Sequence, residues 1–264
     1  MRKYYEAYDE RYKTAHEKGV SWSSENRTPI VLETIEKYIS DCHTPMLEIG
    51  CGEGRDARAV LERGYHLLAT DISEEAIAYC KAKIPAFAGS FEVLDCIRGL
   101  HPFQYGFIYA VAVLHMLVLD DDRNAFYQFI RSHLTDDGIA LICTMGDGEF
   151  EMESDIDTAF LLQEREHESG SMMVAGTSCR MVSFAVFEQE LRNNHLEIIE
   201  KGITASLPDF DSFMFSVVKK HKPDERNNNP CRTGFIKESE YGIEKNQFSG
   251  CCFAMGIYNS FAFR

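Results

Sequence analysis

Three features of the 264-residue chain predict an α/β domain on a doubly wound, mostly parallel sheet of seven strands with an N-terminal helical cap. From Met46 onward, short apolar runs alternate with amphipathic stretches every 20 to 25 residues, the pattern of β-α units wound into a parallel sheet. The first run opens into a glycine-rich turn, Gly50-Cys51-Gly52-Glu53-Gly54. Two apolar runs close together after the series then suggest an antiparallel hairpin at one sheet edge.

The elements follow in order. Tyr4, Tyr5, Tyr8 and Tyr12 fall on one side of a first helix that Gly19 ends, and a second helix starts at about Pro29, a good first-turn residue. Strands are expected at Met46 to Ile49, Tyr65 to Thr70, Phe91 to Leu94, Phe107 to Val111 and Ile139 to Thr144. Helices are expected at Ala57 to Arg63, Glu74 to Lys83 and Asp121 to His133, with Asp120-Asp121-Asp122 favoured at a helix N-terminus by its dipole. The longest apolar run, Phe107 to Leu119, reads as a buried strand running into a helix, too short to span a bilayer. A polar insertion over about 147 to 180, a helix near Phe184 to Asn193, and strands at Leu196 to Ile203 and Ser212 to Val218 complete the domain. Pro208 and Asp209 mark the turn between those strands, and His221 to Pro230 reads as a linker. Residues 1–222 are therefore one domain, with a helical cap (1–45), a ligand-binding half (46–146) and an insertion with C-terminal strands (147–222). The tail, 223–264, has no role that its residues reveal.

Composition narrows the function. Against 27 Lys and Arg stand 42 Asp and Glu, a net charge of −15, which repels phosphate backbones and anionic membranes. Nucleic acid and membrane are excluded as expected partners, and a small-molecule substrate is favoured. Nine scattered cysteines without a C-x-x-C pair suit a reducing compartment, and the first residues show no apolar leader, so the expected location is cytoplasmic. Asp147, Glu149, Glu151, Glu153, Asp155 and Asp157 read as a solvated run, and no metal is expected. Cys251-Cys252 reads as an incidental pair.

The chemistry concentrates at Met46 to Asp56. An apolar strand ends beside Glu48, and Gly50, Gly52 and Gly54 let a ligand approach the backbone before the next helix. A dinucleotide fingerprint needs glycine at 55, where this chain has arginine, so a pyrophosphate fits poorly and an adenosine without phosphates fits better. Asp71 ends the second strand, where a carboxylate accepts ribose hydroxyls, and Asp95 ends the third, where one meets an adenine amine. The three carboxylates, 23 and 24 residues apart, are expected along one rim of the sheet.

Through E-I-G-C-G-E-G-R-D, A-T-D-I-S, V-L-D-C and V-L-H-M-L at 113 to 117, the sequence resembles the class I S-adenosylmethionine-dependent methyltransferases, over roughly Pro29 to Lys220. Within them it resembles the small-molecule branch that includes thiopurine and tellurite-resistance types. The resemblance implies S-adenosylmethionine as cofactor and methyl transfer to a small-molecule S, O or N acceptor, with Glu48 facing the methionine amino group through the loop or water. It implies that Gly50, Cys51, Gly52 and Gly54 pass beneath the methionyl part, Asp71 with Ile72 holds the ribose, and Asp95 with Cys96 flanks the adenine. Val111 and His115 would close the site, and a sheet order of 3-2-1-4-5-7-6 with strand seven antiparallel is implied as well. Where the family usually has a polar small residue, this chain has Val111 followed by Ala112, so one side-chain contact is lost or made by backbone.

His115 is the candidate base for a hydroxyl acceptor, against a structural role in its apolar segment. Tyr8, Tyr12 and Trp22 are candidate substrate contacts, against plain packing. Arg55 is either a solvated first-turn residue or a contact to the cofactor carboxylate. A nicotinamide oxidoreductase and a non-catalytic binding or regulatory protein stay open as other readings.

Overall fold

The computed structural model describes residues 2–24, 26–167, 169–204 and 212–222. The turn at Pro208 and Asp209, Cys251-Cys252, most of the expected linker and the whole tail lie outside the described residues. Seven strands form one sheet: β1 (Met46–Ile49), β2 (Leu67–Asp71), β3 (Phe91–Val93), β4 (Tyr105–Val111), β5 (Leu134–Met145), β10 (Leu196–Thr204) and β11 (Phe213–Lys220). Their order is β10-β11-β5-β4-β1-β2-β3, with β11 antiparallel to β5 and β10 and the other pairs parallel. That is the order the resemblance implied, and β10 with β11 is the edge hairpin.

The central strands read as continuous apolar runs because both faces are covered. One face packs against α2 (Pro29–Tyr38), α3 (Arg55–Leu61) and α4 (Glu74–Lys83), through Ile35, Val60 and Ile77. The other packs against α5 (Asp120–His133) and α6 (Phe184–Asn193), through Phe126, Ile130 and Phe187, joined by Tyr4 and Tyr5 from the N-terminus. Local chemistry sets the helix starts: Pro29 opens α2, Ser73 Oγ accepts from Ala76 N at α4, and three aspartates occupy the first turn of α5.

Several expected boundaries move. β5 begins at Leu134, directly after α5, rather than at Ile139, with an irregular register against β4 between Tyr105 and Phe107. The run after β4 is not a helix. Ala112 takes a left-handed φ of 61°, a 3-10 turn covers Leu114–Met116, and α5 starts only at Asp120. The polar insertion holds strands that alternation did not reveal: β6 (Met152–Glu153) pairs with β9 (Arg180–Met181), and β7 (Leu162–Arg165) with β8 (Met172–Ala175). The cap is a 3-10 turn at Tyr4–Glu6 followed by α1 (Ala7–Glu17). Among the described residues no helix is long and apolar enough to cross a membrane.

Candidate functional site

The chain leaves β1 through a loop that only glycines fit. Gly52 has a φ of +52°, and a Cβ on it would lie 2.7 Å from the Tyr12 hydroxyl oxygen. At Gly50, with φ of +73°, a Cβ would collide with the Val113 side chain. The loop is held by Cys51 N donating to Thr70 O at 2.8 Å and Gly54 N donating to Cys51 O at 2.9 Å.

Asp71 sits beside this loop at the end of β2. Its Oδ2 accepts from Gly52 N at 2.8 Å and its Oδ1 from Ser73 N at 2.9 Å, so the carboxylate ties the β1 loop to the start of α4. Burial pushes its pKa up, against the pull of these backbone donors. Each oxygen keeps a second lone pair, the capacity a ribose diol would use. Ile72, next to it, is half-buried. Asp95, two residues past β3, is half-buried and accepts Ile97 N at 2.8 Å, and Cys96 is buried behind it with its thiol pKa raised by burial.

Glu48 does not join this rim, a correction to the expected line of three carboxylates. The register explains it: Glu48 stands opposite Ala69, two residues below Asp71, and opposite Tyr109 on β4. Its side chain is enclosed, accepts the Tyr109 hydroxyl at 3.0 Å, and has its pKa raised well above the carboxylate range by burial and by Asp56.

Val111 is buried at the end of β4, and the turn beyond it brings Val113 against Gly50. His115 lies in that turn, 3% exposed, edge-on to the Phe213 ring at 6.2 Å. Burial and the Arg123 charge push its pKa down to about 4. The expected base is thus an enclosed, weakly basic imidazole. Arg123 itself, 1% exposed on α5, pins the turn: Nη1 donates to Leu114 O and Leu117 O, while Nε and Nη2 donate to the two carboxylate oxygens of Glu190 on α6. Tyr127 also donates to Glu190. Nothing in the local pattern marks Arg123 for this task.

The N-terminal cap closes over the loops. His16 reaches Glu53 Oε1 at 2.8 Å with Nε2 and Glu75 Oε1 at 2.7 Å with Nδ1, and Asp9 accepts Ser73 Oγ at 2.7 Å. Glu53, inside the glycine loop, also accepts Trp22 N and Ser23 N. Tyr12, a candidate substrate contact, comes to the glycine loop over Gly52. The Arg11 guanidinium lies 4.8 Å from both the Tyr8 and the Trp22 ring and donates to Ala175 O and Gly176 O, joining the cap to the insertion. Trp22 stacks on His167 at 5.5 Å. His16, Glu53 and Glu75 were not read from the sequence; the one available signal was a carboxylate within a glycine turn.

Other candidates fall elsewhere. Arg55 turns to Thr28 Oγ1 at 3.1 Å and Asp56 Oδ2 at 3.4 Å. Asp147 holds a turn by accepting Glu149 N and Phe150 N, and Asp155 accepts Asp157 N. Among the described residues, three candidate metal-ligand atoms come together at Asp41, Cys42 and His43, all exposed and placed before β1, whose far end leads into the glycine loop. The described cysteines are free thiols.

Residues 47–140 match a protein-family model described as a methyltransferase domain. No curated protein matches the chain in sequence. Among solved structures, an S-adenosylmethionine-dependent methyltransferase from Clostridium acetobutylicum is 15% identical with a TM-score of 0.57, covering 80% of this chain and 96% of its own. The CcbJ methyltransferase from Streptomyces caelestis is 15% identical with a TM-score of 0.60, covering 82% and 98%. The 1,6-didemethyltoxoflavin-N1-methyltransferase of Burkholderia thailandensis, solved with 1,6-didemethyltoxoflavin and S-adenosylhomocysteine, is 16% identical with a TM-score of 0.59, covering 80% and 85%. At these identities the likeness is one of fold.

Proposed function

We propose that this chain, which carries a methyltransferase domain on the class I fold, binds S-adenosylmethionine and transfers its methyl group to a small-molecule nucleophile. The observation that carries the reading is the joining of the glycine loop to Asp71 through Gly52 N, which sets a buried carboxylate beside a loop backbone that carries no side chains at Gly50, Gly52 and Gly54. The donor set fits the cofactor. Asp71 has acceptor capacity for a diol, and Asp95 stands at the next strand end. A nicotinamide dinucleotide fits less well, because Arg55 is engaged with Thr28 and Asp56 rather than placed for a pyrophosphate.

When bound, S-adenosylmethionine supplies an activated methyl on sulfur. The protein's part is alignment and exclusion of water. Asp71 and the Gly50 to Gly54 loop orient the ligand, the cap with Tyr12 covers it, and the Arg123-pinned turn holds Val113 and His115 in place. With a pKa near 4, His115 accepts a proton poorly, which favours a thiolate or an amine or ring nitrogen over a hydroxyl. We place the acceptor among small molecules of the branch named above, with Tyr8, Trp22 and the insertion as its surroundings. The net charge of −15 and the likeness in fold to the 1,6-didemethyltoxoflavin-N1-methyltransferase of Burkholderia thailandensis support this. In this reading residues 1–222 are the methyltransferase domain, the 223–264 tail has no assigned role, and the compartment is the cytoplasm.

Calorimetric titration with S-adenosylmethionine, S-adenosylhomocysteine and NADH tests the reading. Micromolar binding of the two adenosyl ligands is the expected result; binding of NADH alone would overturn it in favour of the oxidoreductase.

A further inference from the structure

The cap meets the glycine loop through a histidine held between two carboxylates. His16, in the last turn of α1, places Nε2 2.8 Å from Glu53 Oε1 and Nδ1 2.7 Å from Glu75 Oε1, and its ring stacks on Tyr79 of α4 with centroids 4.3 Å apart. The His16 side chain is 11% exposed and that of Glu53 4%, so water screens the contact little. Glu53 is an acceptor throughout: its Oε1 also takes Trp22 N at 2.8 Å and its Oε2 takes Ser23 N at 2.6 Å. Nε2 therefore donates. A neutral imidazole has one donor and one acceptor nitrogen and would turn a lone pair on Nδ1 toward the Glu75 carboxylate; only the imidazolium donates to both.

The place of this ring gives its charge a consequence. One turn before it on α1, Tyr12 stacks on it with centroids 6.2 Å apart, and the Tyr12 hydroxyl oxygen is what a Cβ on Gly52 would meet at 2.7 Å. Gly52 N is the donor to Asp71 and Glu53 is the next residue, so His16 grips the loop beside the bond that sets Asp71. The other charged groups around the ring do not substitute for it. Lys83 lies over the Tyr79 ring, 5.5 Å from its centroid, and Asp9 is paired with Lys13 while it accepts Ser73 Oγ. Two further ties of the cap, Tyr4 to Asp122 and Arg11 to Ala175 O, lead to α5 and the insertion rather than to the glycine loop.

We propose that His16 is a positioning residue: its imidazolium latches the cap onto the glycine loop, and loss of its proton loosens the latch and lets the adenosyl ligand leave faster. This rests on the adenosyl reading above and extends it to how the ligand is retained. The sign follows from the pairing. With the ring charged, both carboxylates are held and the cap is closed. As pH rises and the ring gives up its proton, the Glu75 bond is lost and two carboxylates flank a neutral ring, so the balance shifts toward the open cap.

Trp22 is the only tryptophan of the chain and its backbone is held by Glu53, so its fluorescence reports the latch without any ligand. The first test is an emission titration of the ligand-free whole chain from about pH 5 to about pH 8. The expected result is a transition in the wild type that His16→Gln abolishes. Glu75→Gln, a change at a side chain 32% exposed, should move the transition to lower pH and keeps the test decisive if His16→Gln does not fold; an unmoved transition overturns the proposal. Trp22 also stacks on His167 at 5.5 Å, so His167→Gln is the contrast and should keep the transition. A transition that His167→Gln removes and His16→Gln keeps would overturn the proposal. The second test follows S-adenosylhomocysteine release by stopped flow. Its rate constant should rise about 3- to 10-fold from about pH 6 to about pH 8 in the wild type and stay at the faster value throughout in His16→Gln. Equal pH dependence in the two proteins overturns the proposal as well. If the wild type binds no S-adenosylhomocysteine, the adenosyl reading and the retention step fall together, while the emission titration still decides the latch.

Discussion

Replacing Asp71 by alanine tests both halves of the site, because the same carboxylate holds the loop and is placed to hold the ligand. In the folded protein it accepts Gly52 N at 2.8 Å and Ser73 N at 2.9 Å. Each such charge-assisted bond contributes about 1.5–3 kcal/mol, so the gross loss is roughly 3–6 kcal/mol. The opposing effect is also visible: burial outweighs these donors and raises the Asp71 pKa, so removing the charge recovers part of the loss. A net destabilisation of about 1–3 kcal/mol remains, measurable from urea unfolding of the ligand-free protein. Ligand affinity should fall further. Losing two ribose hydrogen bonds to a carboxylate costs about 2–4 kcal/mol, or roughly 30- to 1000-fold in the S-adenosylhomocysteine dissociation constant. Ligand-free stability equal to wild type, together with affinity within about threefold, would refute both the geometric argument and the assignment of the loop.

Two further expectations concern the groups under the site. Glu48 has a folded-state pKa raised above its unfolded value, so its contribution to stability is present below the ordinary carboxylate pKa and is lost as pH rises through the folded one. Glu48→Gln keeps an acceptor for Tyr109 without the buried charge; its melting temperature should exceed that of wild type at neutral pH and depend less on pH, and a variant less stable than wild type at neutral pH contradicts the account. Arg123→Met leaves Glu190 with Tyr127 alone and frees Leu114 O and Leu117 O, so unfolding free energy should drop by about 3–5 kcal/mol, partly recovered when Glu190→Gln is added. A loss below about 1 kcal/mol in urea unfolding would show that the turn after β4 does not depend on this pair.

Features governed by neighbouring residues were legible in the chain. Glycines at 50, 52 and 54 declare positive φ values, Pro29 declares a helix start, and apolar runs at a steady spacing declare a parallel sheet, since each follows from local backbone sterics or a short period. Asp71 was found because the end of a strand can be counted. Tertiary structure decided whatever depends on a partner far along the chain. Glu48 and Asp71 look alike in the sequence, yet inter-strand register lowers Glu48 by two residues and encloses it against Tyr109. His115 looked like a base until burial and Arg123 made it a weak one. Tyr4 and Tyr5 are the same residue type in adjacent positions, and only packing across 118 residues to Asp122 gives the Tyr4 hydroxyl its side-chain partner. Burial and long-range pairing are properties of the assembled sheet and its cap, and no short window of sequence contains them.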